Sequence, residues 1–384
     1  MNNRNLAIDM LRGLTMVLMV FVNDFWTVLD VPHFLEHFAT WEDGLGVSDV
    51  VYPLFLFAVG MSIPYAIDRR YEKGYSTEST LGHIFSRTLA LLLMGTFICN
   101  QEAREMEGCR WLWSLLMLVG FFLVWNQYKA DFKPARWLRA VGMVLLAGLA
   151  ITFRTTDGDY FEALWWGILG QIGWAYLFCA VAYLLCRQRQ WPLILFWVLL
   201  CLVNLSIAPM RDGEHLLGHN FLADLSQALH LGNGHIGIMA LGGVLTTLAE
   251  RKLKTGKAGI GLAAAAVLFV LGLASHQGWI ISKNLGTLPW CLYVSALGVA
   301  LYTLLRVLER KGWTGWFKPL QPAGTATLTM YMVPYLFIVG WELLEPGIPE
   351  WLSGWVGVGK CAVYTAAVLS VTWILTKLGI KLKV

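Results

Sequence analysis

Apolar runs of about twenty residues follow one another along the chain, and charge is confined to short clusters between them. A helix needs about 20 apolar residues to cross the hydrocarbon core of a bilayer. Backbone groups in lipid must be paired within their own segment, so runs of this length are read as helices. A β-barrel would show short alternating segments, and none are evident. Charged residues make up 14% of the 384 residues and apolar ones 57%, whereas soluble domains carry about 25% charged residues. The expected fold class is all-α: a polytopic membrane helix bundle, taken as one transmembrane domain over residues 1–384.

About twelve spans are expected, at 7–29, 47–67, 87–100, 111–127, 137–153, 163–186, 191–208, 229–249, 258–276, 287–307, 323–344 and 355–377. Residues 110–154 read as an extra helical hairpin. Placing the N-terminus in the cytoplasm puts 23 of the 29 Lys and Arg residues on the inner side, Arg4, Arg187, Lys254 and Lys257 among them. Six remain outside: Arg104, Arg110, Arg154, Arg211, Lys283 and Lys360. This bias predicts cytoplasmic termini in a multi-pass protein of the cytoplasmic membrane. The first apolar run, Leu6 to Leu29, is too long for a cleavable signal. Many of the 19 Trp residues fall near predicted span ends, as an interfacial belt requires. Cys99 and Cys109 flank a short outer loop where a disulfide is possible, but no Cys spacing suggests a metal or redox site.

Polar groups within spans are costly and mark candidate sites. Asp9 and Arg12 share one face of the first helix, an ion pair by its bland reading. Asn23 and Asp24 lie near its outer end, about 16 Å above Arg12. The loop that follows is dense in polar residues, including His33, Glu36, His37, Glu42, Asp43 and Asp49. A histidine among carboxylates suits general-base work near neutral pH. Arg69, Arg70 and Arg87 flank an inner loop, explained by inside-positive bias or by phosphate binding. His215 and His219 are four apart but lack a third metal ligand. Lys283 and Asn284 precede the tenth span, and Asn233 and His235 begin the eighth.

Several stretches together resemble the transmembrane acetyltransferases related to heparan-α-glucosaminide N-acetyltransferase, in particular a bacterial branch of N-acetylglucosamine-related membrane proteins. They are Asn5 to Gly13 with Asp9 and Arg12, Val20 to Asn23, Leu35 to His37, and Val47 to Gly60 with Asp49 and Pro53. Later pieces are Arg87, Gly167 to Gly173 with Tyr176, Lys283 to Leu285, and Gly324 to Tyr331. The resemblance is strong over residues 4–100 and patchy thereafter. It implies that His37 occupies the place of the catalytic histidine and that Asn23 matches an asparagine of the preceding helix. It further implies acetyl-CoA as cosubstrate, bound from the cytoplasm, and an amino sugar of glucosamine type acetylated at the outer face.

The expected assignments are then His37, Asn23, Asp24 and Asp49 for catalysis, with Asp24 or Asp49 orienting the imidazole. Arg12, Arg87, Asp9, Lys283 and Asn284 are assigned to acetyl-CoA, with no metal. A pantetheine arm entering at Arg12 and Arg87 would run between helices to Asn23. Small-molecule amino sugar and membrane lipid are the expected partners, nucleic acid is not, and a homodimer is left open. The alternative is a secondary transporter of an amino sugar or its acetylated form, against which the lack of an internal repeat counts.

Overall fold

A computed structural model of the chain describes residues 5–186, 189–217, 220–253, 258–344 and 347–384. Arg4, Arg187, His219, Lys254 and Lys257 lie outside the described residues. The helices are α1 (Leu6–Asn23), α2 (Val47–Glu72), α3 (Thr77–Ala103), α4 (Arg110–Trp125), α5 (Ala135–Thr152), α6 (Ile168–Cys186) and α7 (Trp191–Ile207). They continue with α8 (Phe221–Ala228), α9 (His235–Leu253), α10 (Ala258–His276), α11 (Leu288–Arg310), α12 (Gln321–Thr325), α13 (Thr327–Leu344) and α14 (Gly354–Lys377). The protein is an all-helical membrane bundle. Among the described residues, all but the short α8 overlap the predicted segments, α12 and α13 sharing the eleventh. Nine helices among the described residues are long and apolar enough to cross a membrane, and α4 and α7 are apolar but shorter.

The differences from expectation have local causes. The third helix starts at Thr77, not near residue 87. Its first turns carry Glu78, His83 and Arg87, which hide them from a hydropathy scan. Ser76 marks the true start, its Oγ accepting from Ser79 N–H at 3.2 Å. The first helix stops at Asn23, and Asp24–Thr27 continue as a 3₁₀ turn. The eleventh predicted span is broken at Ala326, between α12 and α13. All seven cysteines are free, so Cys99 and Cys109 form no disulfide.

Helix α1 is central, packing on α2, α11, α12, α13 and α14. Helices α2 and α9 meet backbone to backbone: a Cβ on Gly60 would lie 1.8 Å from the Ala240 carbonyl oxygen, and one on Gly243 would lie 2.0 Å from that of Phe57. Small residues permit such approach where lipid supplies no hydrophobic drive between helices. The α4–α5 hairpin leans on α13, with Arg110 and Glu342 paired at 2.9 Å. Helix α10 shows Val267, Phe269 and Val270 outward, and α5 shows Val144 and Ile151, as lipid-facing helices do.

Candidate active site

The loop after α1 folds over one end of the bundle. Its backbone is tied to the approach to α14, with Leu29 N–H donating to Leu352 O at 2.9 Å and Gly354 N–H to Leu29 O at 2.8 Å. Ser48 Oγ donates to Leu35 O at 2.6 Å and draws the loop onto the start of α2. Asp49 stands in the first turn of α2, its side chain only 3% exposed. One carboxylate oxygen accepts Phe38 N–H (3.1 Å) and Gly46 N–H (3.3 Å), as an acidic residue at a helix start should. The other accepts from His37 Nδ1 at 2.7 Å. Asp49 therefore orients the imidazole. Asp24 does not: it is buried and engaged by Lys360 Nζ of α14 at 2.7 Å, which also reaches Thr27 Oγ1.

A second loop, between α10 and α11, closes on the first. Ser282 Oγ donates to Thr40 O (2.7 Å), and Ile281 N–H donates to Asp43 Oδ1 (2.8 Å). Arg211 and His276 also reach Asp43, at 2.7 and 2.8 Å. Burial works to raise the Asp43 carboxyl, but the Ile281 amide and then the His276 and Arg211 side chains hold it below the usual carboxylate range. Asn204 Nδ2 donates to Asn233 O and Gly286 O, and Asn233 Nδ2 to Leu285 O. Gly286, at φ +59°, faces the His235 ring at a distance no Cβ would allow.

This loop carries Lys283 to the histidine. Its Nζ lies 3.0 Å from His37 Nδ1, 3.4 Å from Nε2 and 4.0 Å from Asp49 Oδ1. The ammonium thus lies against the ring, nearer Nδ1 than Nε2. Burial pushes the Lys283 ammonium down from its usual range, with Asp49 opposing. Asn284 Nδ2 reaches Phe38 O at 3.4 Å. Lys283 and Asn284, grouped by sequence with Arg12, thus stand beside His37 instead.

His37, Asn23, Asp24, Lys283 and Asn284 all line one cavity of about 1390 Å³. Asn23, the last residue of α1, is exposed there. The wall descends α1 to Met16, α3 to Gly95 and α13 to Tyr331. Arg12, Arg87 and Asp9 do not line it. Arg12 lies one turn below Met16, about 6 Å along the axis, with Asp9 at 3.8 Å and Thr327 Oγ1 at 3.1 Å. Arg87 lies two turns below Gly95, stacked on Tyr176 at 4.6 Å. The cavity wall reaches Met16, Gly95 and Tyr331, and the two arginines expected to share a passage with His37 lie beyond it.

Sequence reasoning missed Glu102 and Tyr335, which bond at 2.7 Å in the cavity wall, and the Tyr52–Gln171 bond at 2.6 Å. It counted Lys360 only as an outer cation; a lone cation in an apolar span signals a buried partner. Among the described residues no group of three or more His, Cys, Asp or Glu is placed to hold a metal. His215 Nδ1 instead lies 2.8 Å from Ile207 O.

Residues 4–103 match the family described as heparan-alpha-glucosaminide N-acetyltransferase, catalytic. The Mus musculus protein named heparan-alpha-glucosaminide N-acetyltransferase is 36% identical over 102 residues, 26% of this chain and 14% of its own. The Homo sapiens protein of that name is 35% identical over 98 residues, 24% of this chain and 13% of its own. The match thus spans about one seventh of the length of these curated relatives. The matched segment carries α1, the His37 loop, α2 with Asp49, and α3 with Glu102. Over this segment the chain is similar to the heparan-alpha-glucosaminide N-acetyltransferase family.

Proposed function

We propose that the protein is a transmembrane N-acetyltransferase of the cytoplasmic membrane, moving an acetyl group from acetyl-CoA to the amine of an amino sugar at the outer face. The observation that carries this reading is the His37–Asp49 pair at the cavity, with Lys283 against the ring. Asp49 accepts Nδ1–H and leaves the Nε2 lone pair as the base. The amine attacks the thioester carbonyl carbon, Nε2 takes the amine proton as the C–N bond forms, and the C–S bond breaks to release CoA thiolate. The side chain of Asn23 makes no hydrogen bond to the described protein residues, and its amide N–H is free to donate to the developing oxyanion. The family names of the relatives support this choice of reaction.

CoA phosphates do not enter hydrocarbon, so the nucleotide stays at the inner face, where Arg12 and Arg87 are the cations at hand. The pantetheine arm then has to pass from these arginines into the cavity, by way of Met16 and Tyr331 in its wall, to bring its thioester to Asn23. Purified protein tests the reading. Wild type should acetylate glucosamine and be stabilised by CoA. His37→Ala should lose at least about 100-fold in rate while keeping the CoA stabilisation. Full activity in His37→Ala removes His37 as the base. A wild type that neither binds CoA nor acetylates glucosamine removes the transferase reading and favours transport.

A further inference from the structure

Three carboxylates line the cavity: Asp24, Glu36 and Glu102. Asp24 is neutralised by Lys360. Glu36 belongs to the loop beside His37. Glu102 differs from both. It stands in the last turns of α3, on the face that also brings Gly95 and Ile98 to the cavity. Among the described residues its one hydrogen bond comes from Tyr335 Oη–H, at 2.7 Å. Among the described residues no Lys, Arg or His pairs with it within 4.0 Å. A carboxylate has about four lone-pair positions, and Glu102 is exposed to the cavity with one of them used by Tyr335. Arg110 acts on it only at longer range and is itself paired with Glu342, which leaves room at Glu102 for a cation in the cavity.

The surroundings narrow what that cation is. Tyr335 and Tyr331 present rings 6.1 Å apart along α13, and both line the cavity. Gln171, whose Oε1 accepts from Tyr52 and whose Nε2 donates to Trp166 O, lines the same cavity. Aromatic faces with fixed polar groups and an unpaired carboxylate suit a polyol that carries a protonated amine. A bare hydrophobic amine would have no use for the amide, and a neutral sugar none for the charge.

We propose that Glu102, oriented by Tyr335, binds the ammonium form of the acceptor and is the residue that selects an amino sugar over a neutral one. The inference rests on the transferase reading above and adds the acceptor's charge state and its receptor. One proton of the ammonium leaves to water before attack, and His37 takes the second as the C–N bond forms.

The test uses the full chain purified in detergent, with glucosamine and glucose as probes. Wild type should be thermally stabilised by glucosamine and not by glucose at equal concentration. Glu102→Gln keeps an acceptor for Tyr335 and should abolish that difference. Its KM for glucosamine should rise about tenfold or more, the scale of one charge-assisted hydrogen bond, with KM for acetyl-CoA unchanged. Tyr335→Phe should move the glucosamine KM the same way by less, which keeps the test informative should Glu102→Gln misfold. Glu36→Gln should leave discrimination intact. An unchanged glucosamine KM in Glu102→Gln, or a wild type that responds equally to glucose, overturns the assignment. A wild type that binds glucosamine through Glu102 yet never turns over acetyl-CoA overturns the transferase reading and leaves this subsite standing.

Discussion

His37 Nδ1 stands 2.7 Å from Asp49 Oδ1, although one residue belongs to a loop and the other to the first turn of α2, twelve positions later. The same carboxylate caps the helix through Gly46 and gathers the loop through Phe38. Folding of the loop and orientation of the His37 ring are therefore one event. Asp49→Asn keeps the shape and removes the charge that favours an imidazolium forming beside it. The expected result is a fall of about 100-fold in kcat, little change in either KM, and a retained fold by size exclusion. A wild-type kcat in Asp49→Asn would reduce Asp49 to a helix cap.

Lys283 has the opposite character. Its ammonium is drawn out of water against His37, and burial depresses it. Asp49 retains His37 and two amide donors without it. Lys283→Met keeps the packing of the stem and removes the buried charge, so it should raise Tm at neutral pH by about 2 °C. The pH dependence has a definite sign. A lysine whose folded pKa lies below its unfolded value binds fewer protons when folded, so stability rises with pH between the depressed value and 10.5. That alkaline rise should be present in wild type and absent in Lys283→Met, measured as Tm from neutral pH upward.

The bundle itself was legible because lipid leaves only one way to satisfy the backbone of a long apolar run. The resemblance put His37 and Asn23 in one site, and in the structure both line the cavity. What the sequence hid were the partners across space. Asp24 looked free to serve His37, and nothing in the order of residues says that Lys360, 336 positions away, takes it. Lys283 was grouped with Arg12 and Arg87 for acetyl-CoA, and nothing near it in sequence says that its partners come from the loop after α1. Glu102 was passed over at the end of a span, where an acid is ordinary. The start of α3 was missed for the reverse reason, since hydropathy does not register a polar turn held by Ser76.

The docking of the two loops should fail in acid through Asp43. Its folded pKa lies below 3.8, so its stabilising contribution is present above the unfolded value and lost as pH falls through the folded one. Asp43→Asn loses the charge that Arg211 and His276 meet. The variant should have a lower Tm than wild type at pH 7, and the gap should narrow as pH falls below 3.8. Hydrogen exchange should localise the loss to the loops around Phe38 and Ile281. A gap that stays unchanged however far the pH is lowered would mean that the Asp43 charge contributes nothing to docking.

Gly60 tests whether the cavity depends on the α2–α9 contact. A Cβ there meets the Ala240 carbonyl oxygen at 1.8 Å, its carbonyl carbon at 2.7 Å and its Cα at 3.1 Å. All three are backbone atoms, so no side chain can turn aside and the helices themselves must part. Separation moves α2, which carries Asp49, Val51 and Tyr52, away from α9, whose first residue His235 shares the cavity wall with Val51 and Tyr52. Gly60→Ala should cost about 2–3 kcal/mol and Gly60→Val should yield no monodisperse protein. Gly82→Ala provides the control: that glycine lies in α3 with nothing within 4 Å of a Cβ, and alanine there favours helix. Size-exclusion profiles and Tm of the three variants decide the matter. A Gly60→Ala protein as stable as wild type would show that α2 and α9 do not make this contact.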